Sequence, residues 1–152
     1  MAAPTVSDIR ARVEALLALM PEITTIISVQ DCPLSDADLP AALVMVRQAA
    51  RSRTNESWWN VARTISIGVL FTRLCEGTTD DQRTQMLAAE ALLEAVPDYF
   101  ERIDRLALNG IRLDIKQPGD MTDNGLETRP WGGASDVYYA CTYEMVITMK
   151  RE

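Results

Sequence analysis

Val137–Lys150 reads VYYACTYEMVITMK, and its alternation decides what kind of fold the chain adopts. Val137, Tyr139, Cys141, Tyr143, Met145, Ile147 and Met149 fall on one side of an extended backbone. Tyr138, Ala140, Thr142, Glu144, Val146, Thr148 and Lys150 fall on the other. The spacing predicts a long strand whose Val/Tyr/Cys/Tyr/Met/Ile/Met face packs on helices. A second period-two stretch lies upstream, in WWNVARTISIGVLFTRL. There Trp59, Val61, Ile65, Ile67, Val69 and Phe71 share a face interrupted only by Arg63. At ~3.3 Å per residue such a strand outruns a small domain. It must either bend at Gly68 or project as a hairpin arm.

Around these two strands the remaining elements fall into place. Ile23–Val29 is short and β-branched, and Ala41–Arg47 (AALVMVR) is apolar enough for an interior strand. Ile111, Leu113 and Ile115 alternate with charged residues as a half-buried strand. Arg47–Ser57 (RQAARSRTNES) has no apolar rhythm and is expected to be an exposed connection. The Gly- and Pro-rich stretch from Gln117 is expected to be a long loop.

Two helical regions are indicated. Ser7 is the expected N-cap of a helix with Asp8 in its first turn. Ile9, Val13, Leu16, Leu17 and Met20 form its apolar face, and Pro21 stops it. Thr79 and Gln82 suggest a capping box for a second helix buried through Met86, Ala89, Leu92, Leu93 and Val96. Pro97 breaks it, and Asp98 is expected to cap a shorter helix carrying Ile103 and Leu106, closed by Asn109-Gly110. The expectation is a single α+β domain over residues 1–152. Its mainly antiparallel sheet of about five strands is packed by an N-terminal helix and a central helix pair, with long loops near 48–57 and 117–136.

Composition bounds the function. The 152 residues are 47% hydrophobic and 24% charged, which is ordinary globular make-up. A net charge of −7 disfavours a dedicated nucleic-acid or anionic-membrane binder. There is no histidine, so the commonest general base, the usual Ser and Cys triads and most zinc sites are excluded. Cys32, Cys75 and Cys141 are far apart and read as free thiols, and Cys75 without a His partner is a poor nucleophile. The N-terminus lacks the layout of a signal peptide, and no apolar run approaches the ~18 residues that span a bilayer. The expectation is a protein made in the cytoplasm, with no membrane association.

Motifs with chemistry are few. Asp31, Asp36 and Asp38 lack the spacing of an EF-hand, so a solvated acidic loop is the better reading. Asp120 and Asp123, beside Asn124-Gly125, suggest Asx turns. No catalytic residues, cofactor site or metal site are expected. What remains is a set of candidate partner contacts. Arg47, Arg51 and Arg53 make a small basic spot. Trp58 and Trp59 place neighbouring rings on opposite strand faces, one expected in the core and the other exposed. Arg129, Trp131 and Tyr138 lead into the last strand. Trp131, between Pro130 and Gly132, either touches a neighbouring molecule or folds back onto its own sheet.

The arrangement resembles the tail terminator, or tail-completion, proteins of long-tailed bacteriophages and related gene-transfer agents. The matching features are the amphipathic helix ending in Pro21-Glu22-Ile23 and a strand entered through Asp38-Leu39-Pro40-Ala41-Ala42-Leu43-Val44. The arginine-bearing loop, the long strand Trp59–Arg73, the central helix and a final strand behind a loop follow. The match covers nearly the whole chain in element order and length, through motifs of low specificity. The resemblance implies a non-enzymatic virion protein of the tail or neck, assembled in the host cytoplasm without a cofactor. It would form a homo-oligomeric ring, usually a hexamer, on the end of the tail tube. That ring stops tube polymerisation and offers a surface to the head-completion or connector protein, while DNA passes through its lumen without specific binding. A head–tail joining or tail-tube protein of the same particle is the nearest alternative. A small cytoplasmic α+β enzyme or ligand-binding domain is the alternative from another class.

Overall fold

A computed structural model describes residues 5–74, 77–101, 105–108, 111–115, 121–132 and 136–151. The chain is α+β, with helices on one face of a mostly antiparallel sheet. In order the elements are α1 (Val6–Ala18), β1 (Thr25–Ile26), a 3-10 turn (Asp36–Asp38), β2 (Ala41–Arg53), β3 (Trp59–Arg73), α2 (Thr79–Leu92) and α3 (Ala95–Glu101). Then come β4 (Arg105–Leu108), β5 (Ile111–Ile115), β6 (Met121–Asp123), β7 (Glu127–Pro130) and β8 (Val137–Arg151).

β8 is the spine. From Tyr138 onward it pairs antiparallel with β3, from Arg73↔Tyr138 to Trp59↔Arg151, with a register shift between Leu70 and Thr72. Its other edge is shared in succession by three short strands. β7 pairs with Val137–Ala140, β6 with Tyr143–Met145, and β5 with Ile147 and Thr148. The principal order is β1-β2-β3-β8-β5-β4, with β6 and β7 adding to an eight-stranded sheet. Among the described residues, only β1–β2 is parallel.

The sheet has three strands beyond the expected five: β4, in a stretch expected to be helical, and β6 and β7, inside the stretch expected to be one long loop. The β6 and β7 segments, of three and four residues, are polar and carry no alternation. Pairing with β8, rather than their own composition, makes them strands. Pro130 is tolerated because β7 is an edge strand. Leu106, expected on a helix, sits instead in β4; Ile103 and Asn109-Gly110 lie outside the described residues.

The main core lies between the helices and one sheet face. Ile9, Val13, Leu16, Leu17 and Met20 of the first helical region meet Val61, Ile65, Ile67, Val69 and Phe71 of β3. Cys141, Tyr143, Met145 and Ile147 of β8 complete it. Val61 to Phe71 of the predicted β3 face and Cys141 to Ile147 of the predicted β8 face therefore pack where the alternation places them, each fully buried Ile or Leu stabilising the fold by about 1.5–3 kcal/mol. From α2 and α3 the core takes Ala89, Val96 and Phe100. Met86, Leu92 and Leu93 are only half-buried. The two helix starts differ from expectation by one or two residues. Thr5 rather than Ser7 caps α1, in a reciprocal box with Asp8, and Thr78 rather than Thr79 caps α2, with Asp81. α2 ends at Leu92, and Pro97 sits in the first turn of α3, where its missing N–H costs nothing. Among the described residues, no helix is long and apolar enough to cross a membrane.

Candidate functional site

Three regions bear on function: a hairpin, a loop seated on the back of the sheet, and a cleft. The hairpin holds the distal half of the long strand β3, which stays paired with β2 and β8 as far as Trp59. Residues Arg47–Ser57, expected to be a loop, are mostly strand, since β2 runs to Arg53 and pairs with β3 as far as Arg53↔Trp59. A register shift between Val46 and Ala49 hides this in the sequence. The bulge moves the core-facing set from even to odd positions (Ala42, Val44 and Val46, then Ala49), so the period-two signal is lost halfway along.

Beyond the bulge the hairpin is exposed. Arg47, Arg51, Arg53, Trp58 and Trp59 all face solvent. Neither tryptophan is core: Trp58 is 40% and Trp59 41% exposed. Burial of one was expected from the opposite faces of adjacent strand residues. That argument fails because Trp58 belongs to the turn, and Trp59 lies past the part of the sheet that the helices cover. The tip is well ordered by its own hydrogen bonds. Asn55 Oδ1 accepts from the Ser57 and Trp58 amides at 2.9 and 3.0 Å. Arg53 folds across the turn, donating from Nε to the Asn55 carbonyl and from Nη2 to the Glu56 carbonyl, both at 3.1 Å. Its guanidinium stands 5.9 Å from the Trp59 ring centroid, within cation–π range. Arg63 donates from Nη1 to the Arg47 carbonyl at 3.0 Å, closing the bulge. Of the candidate contacts, Arg47, Arg51, Arg53 and Trp58 therefore share this hairpin.

Arg129, Trp131 and Tyr138 lie elsewhere. Trp131 is 5% and Tyr138 3% exposed. Both belong to a second, smaller core on the back of the sheet, with Ile27, Ala41, Leu43, Leu70 and Ala140. Of the two readings open for Trp131, the ring folds back onto its own sheet, and Glu127–Pro130 is strand where a long loop was expected. Arg129 and Pro130 are strand residues, and the Trp131 indole is tied down, donating from Nε1 to the Cys32 carbonyl at 2.7 Å. Gly132 donates its amide to Asp31 Oδ1 at 3.3 Å, from a backbone φ of +80° that favours glycine. The residues 133–135 lie outside the described part. Burial raises the Tyr138 hydroxyl's pKa above its ordinary value, helped by Asp136 and opposed by Arg73.

The third region is an open cleft of about 970 Å³ lined by residues that include Asp36, Arg73, Gln85 and Asp136. Its cation is already engaged. Arg73 places Nη2 3.2 Å from Asp36 Oδ2 and Nη1 3.7 Å from Asp136 Oδ1. Gln85 donates to Thr72 Oγ1 at 2.9 Å and to the Arg73 carbonyl. The other acidic residues singled out have local duties. Asp38 accepts from the Ser35 amide at 2.8 Å, and Asp123 Oδ1 accepts from the Gly125 amide at 2.9 Å, the Asx turn expected there. Asp120 and Cys75 lie outside the described residues. Cys141 is a buried free thiol and Cys32 a half-buried one. Burial raises the Cys141 thiol's pKa, which keeps it protonated and unreactive. Among the described residues, no group of three or more Cys, Asp or Glu side chains could hold a metal ion.

No family model matches the chain. Over 107 residues, 70% of its length, it is 24% identical to a protein of Gloeobacter violaceus named "Putative glutamate--cysteine ligase 2". The chain spans about a quarter, 27%, of that protein's length.

Proposed function

We propose that the chain is a structural, non-catalytic virion protein of the tail-terminator kind, forming a closed homo-oligomeric ring on the end of a tail tube. The observation that carries the reading is the distal hairpin, Arg47–Arg63, with its two exposed tryptophans and its ordered tip. An exposed Trp/Arg surface on a preorganised support has the composition of a protein–protein contact. A closed ring needs two different complementary surfaces on each copy, and the exposed distal hairpin of a helix-backed sheet gives one of them. Element order and length agree with the resemblance drawn from the sequence. Under this reading the tube, the head-completion protein and further copies of the chain are the partners. DNA passes an acidic lumen without being gripped. Negative-stain imaging of the purified protein over a range of concentrations tests it. Single closed rings are expected; open-ended tubes would instead make this a tail-tube protein.

The cleft beside Arg73 favours a second reading, a small ligand-binding domain or enzyme, and the ligase-named similarity lends it a candidate ligand class. Under that reading glutamate or cysteine raises the melting temperature of a monomer. We expect no such shift, because both Arg73 contacts to carboxylates are already made within the chain.

A further inference from the structure

The net charge of −7 conceals a segregation. Between Arg47 and Arg63 the chain carries four arginines, Arg47, Arg51, Arg53 and Arg63, against one acid, Glu56. β8 brings Lys150 and Arg151 to the same end, in backbone register with Asn60 and Trp59. The α2–α3 region is the reverse. From Gly77 to Glu101 it carries six acids, Asp80, Asp81, Glu90, Glu94, Asp98 and Glu101, against one base, Arg83. All six acids are exposed. The two regions are therefore +3 and −5 by residue count, before Lys150 and Arg151 are added to the first.

Among the described residues, no ion pair relieves either excess. The pairs made there are those of Arg73 with Asp36 and Asp136, which belong to neither region. Glu90, Glu94 and Asp98 are exposed and follow one another across the junction of α2 and α3 with no basic residue between them. The last turn of α2 has no basic residue to meet the negative end of its dipole. On the hairpin, Arg51 sits opposite Val61 and Ala49 opposite Arg63, so no carboxylate faces either arginine across the strands.

We propose that the basic hairpin of one copy docks on the acidic α2–α3 face of the next copy, making the head-to-tail contact that closes the ring. The inference rests on the ring reading of the previous subsection and assigns its two surfaces. A second copy is the occupant that the charges favour, because the chain itself carries a region of opposite charge. Arg53 serves by holding the tip, since its guanidinium is spent on the Asn55 and Glu56 carbonyls and on Trp59. Arg47 and Arg51 are left to meet carboxylates, with Trp58 and Trp59 supplying apolar contact area.

A charge-swap experiment tests this. One variant carries Arg47→Glu and Arg51→Glu; the other carries Glu90→Lys and Glu94→Lys. All four sites are exposed, and circular dichroism with thermal melts verifies that both variants fold; Arg→Gln and Glu→Gln versions replace either one that does not. Each variant alone should assemble at least about tenfold more weakly than the wild type, because like charges then meet at every contact. Mixed in equal amounts they should recover, in rings where the two variants alternate. Wild-type assembly should also weaken as salt rises, the exposed charges being screened. If the wild type stays monomeric at every concentration, the ring reading falls and this inference with it. If the wild type forms rings while the single variants assemble normally, or the mixture does not recover, only the surface assignment is overturned. If the arginine variant assembles normally but loses binding to a short duplex DNA that the wild type holds, the hairpin is a nucleic-acid surface and the docking proposal is wrong.

Discussion

Trp131 and Tyr143 carry the residue-scale consequences. The Trp131 indole fills the small core behind the sheet and donates to the Cys32 carbonyl, so Trp131→Ala should remove about 3–5 kcal/mol of stability. Urea denaturation measures this; a loss under about 1 kcal/mol would place the ring outside the core. Nothing local to Pro130-Trp131-Gly132 could reveal that burial, because the hydrogen-bond partner stands 99 residues away in a loop without periodicity. Tyr143 donates its hydroxyl to the Leu93 carbonyl, tying β8 to the end of α2. Burial, the largest cause, raises its pKa well above the ordinary 10.0. The folded chain thus holds the proton more tightly than the unfolded chain does. This contribution to stability is complete below pH 10.0 and is lost as pH rises beyond it. Cys141 adds the same sign of dependence above its ordinary 9.0. Tyr143→Phe should cost about 1–3 kcal/mol at neutral pH, through the unpaired carbonyl, yet lose less stability between pH 9 and 11 than the wild type. An unchanged alkaline slope in pH-dependent melts would contradict the assignment.

At the scale of elements, the helix caps give the clearest discrimination. The stretch Thr78-Thr79-Asp80-Asp81-Gln82 contains two overlapping capping frames, and the structure uses Thr78 with Asp81. Thr78→Ala should cost about 1 kcal/mol, whereas Thr79→Ala should change stability by only a few tenths, as read by chemical denaturation. The reverse order would move the helix start to the frame first expected. The strands divide in the same way between legible and hidden. β3 and β8 were plain because a continuous apolar face repeats every second residue. The distal half of β2 was hidden by the bulge at Arg47-Gln48, and β6 and β7 by polar sequences that owe their conformation to the edge of β8. Pattern reports burial on one face; it is silent where a strand is exposed on both.

For the whole molecule, the α+β layering followed from two long alternating strands and two amphipathic helices. The proposed interaction surface was legible only as a list of arginines and tryptophans. Its grouping depends on the hairpin register, which sets Arg53 against Trp59 and holds both tryptophans away from the helix-covered core. The charge segregation was present in the composition, but a single net value of −7 averages it away. Assembly is where these features would act together, with each copy offering a basic hairpin and an acidic helical face. Native mass spectrometry of the purified protein, across concentrations and at low salt, measures it most directly. The account predicts one dominant species at a fixed whole multiple of the 16.9 kDa chain, a hexamer by the family resemblance. A mass that remains that of the single chain at every concentration would contradict it.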